Sequence, residues 1–346
     1  MKIVVTGGGT GGHIYPALAI INRLKVEFND LDITYIGTHD RMESKMIPEL
    51  GIKYIGLNMQ GVNRKNMLKN FKLLGLLVKN YLFLKKIYKK ERIDIVIGTG
   101  GYITVPVIYA AKKSNISTLI FDADKDFGMA TKKLMKYADI VCSGYKYPSL
   151  KYSNVIYSGN PRAQEVYSTV DRSNIKNKAL FIFGSLGSET INDFFSTYFS
   201  NTNIDYDVVY VTGKGLYNNF VGKLNNDRVK VLEYIDDISK EIDDVKFVVS
   251  RSGATFVSEL QSLAIPSIFV PSPYVANNEQ VENIKHLVEN ELAFMIKEQE
   301  LSSNNFENAV NNIRNNYNLI VSKLKQNRDI DGLEIILDKI KGLINE

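Results

Sequence analysis

Five glycines, two threonines and a histidine follow the first apolar run of the chain, in "TGGGTGGHIYP" at residues 6–16. Glycines let a backbone turn sharply and come close to a ligand. A helix starting just beyond them, near Ile14, presents N–H groups and a positive dipole end that suit a diphosphate. Pro16 fits the first turn of such a helix, where no N–H is required. His13 adds what glycines lack. A histidine at a helix N-terminus is kept neutral by the dipole and so stays available as a base near neutral pH. Steadying the loop through a hydrogen bond is an equal reading on the residues alone.

The spacing Gly7-x-Gly9-x-x-Gly12 also satisfies a dinucleotide fingerprint, which requires an acidic residue at the end of the second strand. There the chain reads "TYIGTHD", with Gly37 near the required place and Asp40 several residues late. A nicotinamide-dependent oxidoreductase therefore ranks last. A second loop, "GTGGY" at 98–102 with Gly100 and Gly101, exceeds what one dinucleotide needs and points to a second phosphorylated ligand. In "DADKD" (122–126), Asp122, Asp124 and Asp126 alternate as oxygen ligands of a cation do. Capping of the next helix by Asp124 or Asp126 is the favoured reading, and it requires no metal.

Strands must deliver these loops. Short apolar runs at 2–6, 32–37, 94–98, 118–121 and 139–143 alternate with amphipathic stretches such as 15–27, 103–113 and 127–137. The same rhythm returns with runs at 179–184, 207–213, 230–234, 246–250 and 266–271. Alternation of this kind predicts α/β structure with parallel sheets covered on both faces. The halves echo each other, "VVTGGGTGGH" against "FIFGSLGSE" (181–189), which predicts two Rossmann-like, doubly wound domains facing a cleft. A length of 346 residues also favours two domains. The expected division is 1–158 and 159–328, with a last helix in 329–346 that packs on either domain.

Charge is unevenly spread. Residues 1–158 carry 24 Lys and Arg against 12 Asp and Glu, a net of +12, and the remainder nets −7. Ten basic residues and one acid lie in 64–92, interleaved at helical spacing with Met67, Leu68, Phe71, Leu74, Leu77, Val78, Tyr81 and Leu82. Such a helix suits an anionic membrane surface, or it packs its leucines on the core and leaves its lysines in water. Nucleic acid is disfavoured, because the aromatics sit on the apolar side instead of among the lysines. A single cysteine, Cys142, excludes an intramolecular disulfide. With no leader and no apolar run near the roughly 20 residues of a membrane span, a cytoplasmic location is expected.

Seven segments in order, "GGTGGHIYPALAI" (8–20), "GTHDRMESKMIPELGI" (37–52), "GTGGYITVP" (98–106), "GNP" (159–161), "EYIDDI" (233–238), "SRSGATFVSEL" (250–260) and "PSPYVANNEQVENI" (271–284), resemble the MurG family. That resemblance implies a GT-B fold and an inverting transfer of GlcNAc from UDP-GlcNAc to lipid I, giving lipid II in peptidoglycan synthesis. It implies no metal or other cofactor, and peripheral docking on the inner face of the membrane through an apolar patch ringed by basic residues. By position, Thr10, Gly11 and Gly12 line the phosphate region and His13 is the base. Ser185 meets the UDP phosphates, Ile235 offers backbone groups to uracil, and Ala254 and Thr255 open the nucleotide site. Glu259 accepts from the ribose and Gln280 contacts the sugar.

The chain also departs from the family pattern. Asp124 stands where the family has a sugar-contacting asparagine, and a carboxylate cannot donate as an amide does. Leu186 replaces a glutamine, Asn277-Asn278 replaces Asp-Asp, and Arg162 comes one residue early, leaving Ala163 at the usual arginine position. These departures admit two alternatives: a relative using another UDP-sugar or lipid acceptor, and a nucleotide-sugar-binding protein without catalysis.

Overall fold

The computed structural model describes residues 1–61, 70–235, 238–275, 278–328 and 331–345. The start of the basic stretch at 64–69, the paired aspartates of "EYIDDI" and Asn277 lie outside the described residues. The chain forms two compact units, one made of Met1–Glu165 with the C-terminal helix and the other beginning at Val166.

In the first unit the elements alternate as β1 (Lys2–Thr6), α1 (Gly11–Glu27), β2 (Asp32–Thr38), α2 (Glu43–Glu49), β3 (Lys53–Leu57) and α3 (Asn70–Glu91). There follow β4 (Ile95–Gly98), α4 (Thr104–Lys112), β5 (Ser117–Asp122), α5 (Met129–Leu134), β6 (Ile140–Ser143), α6 (Lys146–Lys151) and β7 (Val155–Tyr157). The strands form one parallel sheet in the order β3-β2-β1-β4-β5-β6-β7. Burial on both faces explains why most of these strands read as continuous apolar runs. On one face Val4, Ile36, Val96, Ile120 and Val141 meet residues such as Leu84, Tyr88, Val107 and Leu134 from α3, α4 and α5.

The second unit holds β8 (Lys178–Ile182), α8 (Glu189–Asn201), β9 (Asp207–Val211), α9 (Tyr217–Val221), β10 (Val229–Leu232) and α10 (Ser239–Ile242). It continues with β11 (Phe247–Ser250), α11 (Ala254–Ser262), β12 (Ser267–Phe269), α12 (Glu279–Glu289), β13 (Phe294–Met295) and α13 (Ser303–Gln326). The preceding helix, α7 (Pro161–Thr169), spans the division between the units. The parallel sheet runs β10-β9-β8-β11-β12-β13. One face is aromatic, with Phe181, Phe195, Phe199, Tyr210 and Phe306 in mutual contact. The other face is aliphatic, with Leu180, Val248, Leu260 and Ile284. Helix α13 contributes Phe306 to the first core and Ile320 to the second. Its backbone leaves helical geometry at Asn316, and that kink lets one helix serve both faces.

The last helix, α14 (Gly332–Asn345), packs on α1 and β5 of the first unit. Arg23 of α1 holds Glu334 with two bonds, Nε to Oε1 at 2.7 Å and Nη2 to Oε2 at 3.0 Å. That bidentate contact holds the Glu334 carboxyl below its usual range.

Candidate active site

In a sheet whose strand order reverses, the loops on either side of the reversal diverge and leave room for a ligand at the carboxyl ends of the strands. In the first unit the reversal lies between β1 and β4. The two loops there are the glycine run of residues 7–10 and the Thr99–Gly101 turn, so the topology brings together both glycine loops found in the sequence.

His13 lies between them. Helix α1 begins at Gly11, earlier than the sequence suggests, with Thr10 extended as its N-cap. His13 therefore sits in the first turn, where its own N–H is bonded to the Thr10 carbonyl at 3.1 Å. Its Nδ1 lies 2.9 Å from the Gly8 carbonyl oxygen. A carbonyl can only accept, so Nδ1 carries the proton and a neutral ring keeps its lone pair on Nε2. Thr99 fixes the turn from the other side by donating to the His13 carbonyl at 2.7 Å. Nδ1 thus steadies the loop, and Nε2 is the nitrogen that the base reading would use.

Gly100 and Gly101 close over the imidazole. Their φ values are +108° and +82°, a region that side chains disfavour. A Cβ on Gly100 would lie 2.5 Å from His13 Cδ2, and one on Gly101 would lie 2.5 Å from the Gly8 oxygen. Only glycine permits this approach at both positions. Beneath the first loop, Glu43 of α2 is fully buried. It accepts from Thr38 N and Thr38 Oγ1 at 3.1 and 2.8 Å and from Gly9 N at 3.2 Å. Burial first, and the Glu43 charge second, raise the Tyr35 and Tyr54 phenols above their usual range.

The aspartate loop corrects an expectation. The N-cap position of α5 belongs to Gly128, not to Asp124 or Asp126. Asp126 turns outward to Lys132 at 2.8 Å. The buried Asp122, at the end of β5, ties the loop instead, accepting from Asp124 N at 3.0 Å and Gly128 N at 3.3 Å. Burial pushes its carboxyl above the usual range, opposed by the Thr131 hydrogen bond and that backbone donation. Among the described residues no group of three or more His, Cys, Asp or Glu side chains could hold a metal ion.

Arg162 stands beside α1, its guanidinium over the Tyr15 ring at 5.3 Å and bonded to Glu165 at 2.6 Å. Ala163, at the position where the family has arginine, is buried.

In the second unit the reversal falls between β8 and β11, so the loops that follow these strands, with Ser185 and with Ala254 and Thr255, lie beside it. Ser185 and Leu186 lie exposed in the loop after β8, where Gly187 N bonds the Gly184 carbonyl at 3.1 Å. Ala254 and Thr255 open α11, whose N-cap Gly253 supplies no side-chain bond. Glu259 lies one turn further on and is buried. Gln280 Oε1 accepts from Ser272 N at 2.7 Å, which leaves the NH₂ end as the part suited to a sugar oxygen. Ile235 is half-buried against the aliphatic core.

Arg251, quoted in a motif but given no role by the sequence, bonds Val270 O at 2.9 Å, Ser188 Oγ at 3.2 Å and Glu298 Oε2 at 2.6 Å. It binds the ends of three loop segments at this edge of the sheet.

Helix α3 divides the apolar residues that the sequence presents as one stripe. Leu73, Leu84 and Tyr88 are buried, with Leu77 and Tyr81 packed beside them. Leu74, Val78 and Leu82, spaced one turn apart, are 61%, 52% and 53% exposed, with Phe83 at 45%. Lys72, Lys79, Lys85, Lys86, Lys89 and Lys90 are exposed on the same helix. No helix among the described residues is long and apolar enough to cross a membrane.

Two Rossmann-like units, each with its loops gathered where the strand order reverses, make up the architecture of the GT-B glycosyltransferases. Residues 3–143 match the glycosyltransferase family 28 N-terminal domain and residues 179–333 its C-terminal domain, and the chain belongs to that family. Two relatives carry the name UDP-N-acetylglucosamine--N-acetylmuramyl-(pentapeptide) pyrophosphoryl-undecaprenol N-acetylglucosamine transferase. The protein from Limosilactobacillus reuteri is 37% identical over 88% of this chain and 87% of its own. That from Bacillus cytotoxicus is 38% identical over the same shares, 88% and 87%. The crystal structure of Acinetobacter baumannii MurG superposes with a TM-score of 0.78 at 20% identity, covering 99% of both chains.

Proposed function

We propose that this protein transfers GlcNAc from UDP-GlcNAc to the undecaprenyl-pyrophosphoryl N-acetylmuramyl-(pentapeptide) acceptor, lipid I. The observation that carries this reading is the His13 geometry, which aims the lone pair of a neutral imidazole away from its Gly8 anchor. Nε2 takes the proton of the acceptor hydroxyl as that oxygen attacks the anomeric carbon, and UDP leaves from the opposite face with inversion. The glycine loops Thr10–Gly12 and Gly100–Gly101 admit the acceptor phosphates. The second unit holds the donor, with Glu259 accepting from the ribose, Ile235 meeting uracil through its backbone, and Ser185 and the start of α11 meeting the diphosphate. The dipole of α11 offsets the charge that develops on the leaving group, so no metal takes part in this reading. Radiolabelled UDP-GlcNAc and a lipid I analogue should give labelled lipid II. Donor binding without transfer to that acceptor would overturn the assignment.

The exposed part of α3 supports peripheral attachment to the inner, anionic leaflet. Leu74, Val78, Leu82 and Phe83 supply apolar area, and each lysine near such a surface adds about 1 kcal/mol. Replacing Lys85, Lys86, Lys89 and Lys90 by glutamate should lower sedimentation with anionic vesicles by about tenfold or more. Unchanged sedimentation would remove α3 from the docking surface.

A further inference from the structure

We infer that Glu43 is a positioning residue for the base, acting on His13 through the single peptide bond between Gly8 and Gly9. This inference rests on the reading of His13 as the base. The N–H of that peptide donates to Glu43 Oε2 at 3.2 Å, and its carbonyl accepts from His13 Nδ1 at 2.9 Å. Carboxylate, peptide and imidazole therefore form one chain of hydrogen bonds. Both Glu43 oxygens accept a backbone N–H, as a carboxylate does. The chain is built tightly, since a Cβ on Gly8 would lie 2.3 Å from Glu43 Oε1.

A negative charge at the N–H end of a peptide strengthens the carbonyl as an acceptor, because linked hydrogen bonds polarise one another. A stronger acceptor holds the proton on Nδ1 and leaves Nε2 as the basic nitrogen. It also favours the imidazolium that forms when Nε2 takes up the substrate proton. This is the service that a carboxylate gives a catalytic histidine by direct contact, here delivered one peptide away. Asp122, from the end of β5, also interacts electrostatically with His13. Arg41, beside Glu43, is engaged with the Tyr102 hydroxyl. Neither group is altered in the comparison below, so their effects are common to every variant.

Glu43→Gln tests the relay in the full-length protein. If the glutamine oxygen keeps the Thr38 bonds, its NH₂ faces the Gly9 N–H, and the relay is cut at that point. Thr38→Val provides the control, since it removes one bond to Glu43 but leaves the carboxylate on Gly9. The chain holds three histidines, His13, His39 and His286, so nitrogen-15 spectra of the imidazoles can be assigned by single replacements. In Glu43→Gln the share of His13 protonated on Nδ1 should fall. The acidic limb of kcat/KM should move to lower pH by about half a unit, because loss of the anion makes the imidazolium harder to form. The rate on the plateau should fall about tenfold. Thr38→Val should keep both the tautomer and the limb of the wild type. A His13 spectrum unchanged in Glu43→Gln, or changed equally in Thr38→Val, would overturn the relay. The spectrum decides the relay whatever the rates show, whereas full turnover in a His13 variant would overturn only the assignment of the base.

Discussion

His13→Ala should lower kcat for transfer to lipid I by about 10²–10⁴-fold, the usual contribution of a general base. That loss corresponds to about 3–5 kcal/mol of transition-state stabilisation. The substitution also removes the Nδ1 bond to Gly8, but a hydrogen bond of that kind contributes only about 1 kcal/mol to stability. A purely structural histidine would therefore show a modest loss of thermal stability and a small change in rate. A base acts on the transferring proton chiefly in the transition state, so KM for UDP-GlcNAc should hold near the wild-type value while kcat falls. Steady-state kinetics, with calorimetric UDP-GlcNAc binding and a melting curve as controls, separate the two roles. Turnover near that of the wild type, with folding and donor binding intact, would remove His13 from the chemistry.

The residues of this site differ in how plainly the sequence declares them. The two glycine loops and His13 are local signals, since Gly, Thr and His at those spacings have few other uses at the end of a strand. Their convergence is topological. It depends on β1 lying between β2 and β4, which follows from parallel pairing and not from any one segment. Glu43 shows the limit of local reading. An acid in the first turn of a helix ordinarily faces water and complements the dipole. Here it is buried because Thr38 and Gly9 bring it donors from two other segments.

Helix α3 shows another limit. Its apolar residues recur at helical spacing, but period alone does not say which leucines meet the sheet, and Leu73 and Leu74 go to opposite environments. In the aspartate loop, Asp124 and Asp126 are the residues that the sequence offers for the capping role, and Asp122 ties the loop instead. The outcome depends on where β5 ends, which buries Asp122 and exposes Asp126. Three strands escape the sequence pattern for simpler reasons. β7 and β13 contribute only "VIY" and "FM", and "KYIGL" of β3 is broken by lysine and glycine.

Arg251→Ala should destabilise the second unit by about 3–5 kcal/mol, because Glu298 would be left as a buried charge without its partner. The side chains of the pair are 12% and 8% exposed, so water cannot replace the lost contact as it would at a surface ion pair. The melting transition of that unit should fall by about 10 °C or more. Replacing both members, Arg251→Met with Glu298→Leu, should recover most of this stability, since a buried pair contributes little net energy relative to apolar residues of similar size. Donor affinity should behave differently. Arg251 also bonds Ser188, the N-cap of α8, and the Val270 carbonyl at the start of the loop leading to Gln280. Methionine can replace neither bond, so the double variant should regain its melting temperature and still bind UDP-GlcNAc more weakly than the wild type. A double variant with full affinity would mean that the loops hold their places without the arginine. A melting temperature unchanged in Arg251→Ala would mean that Glu298 is solvated and that the pair acts as a surface contact.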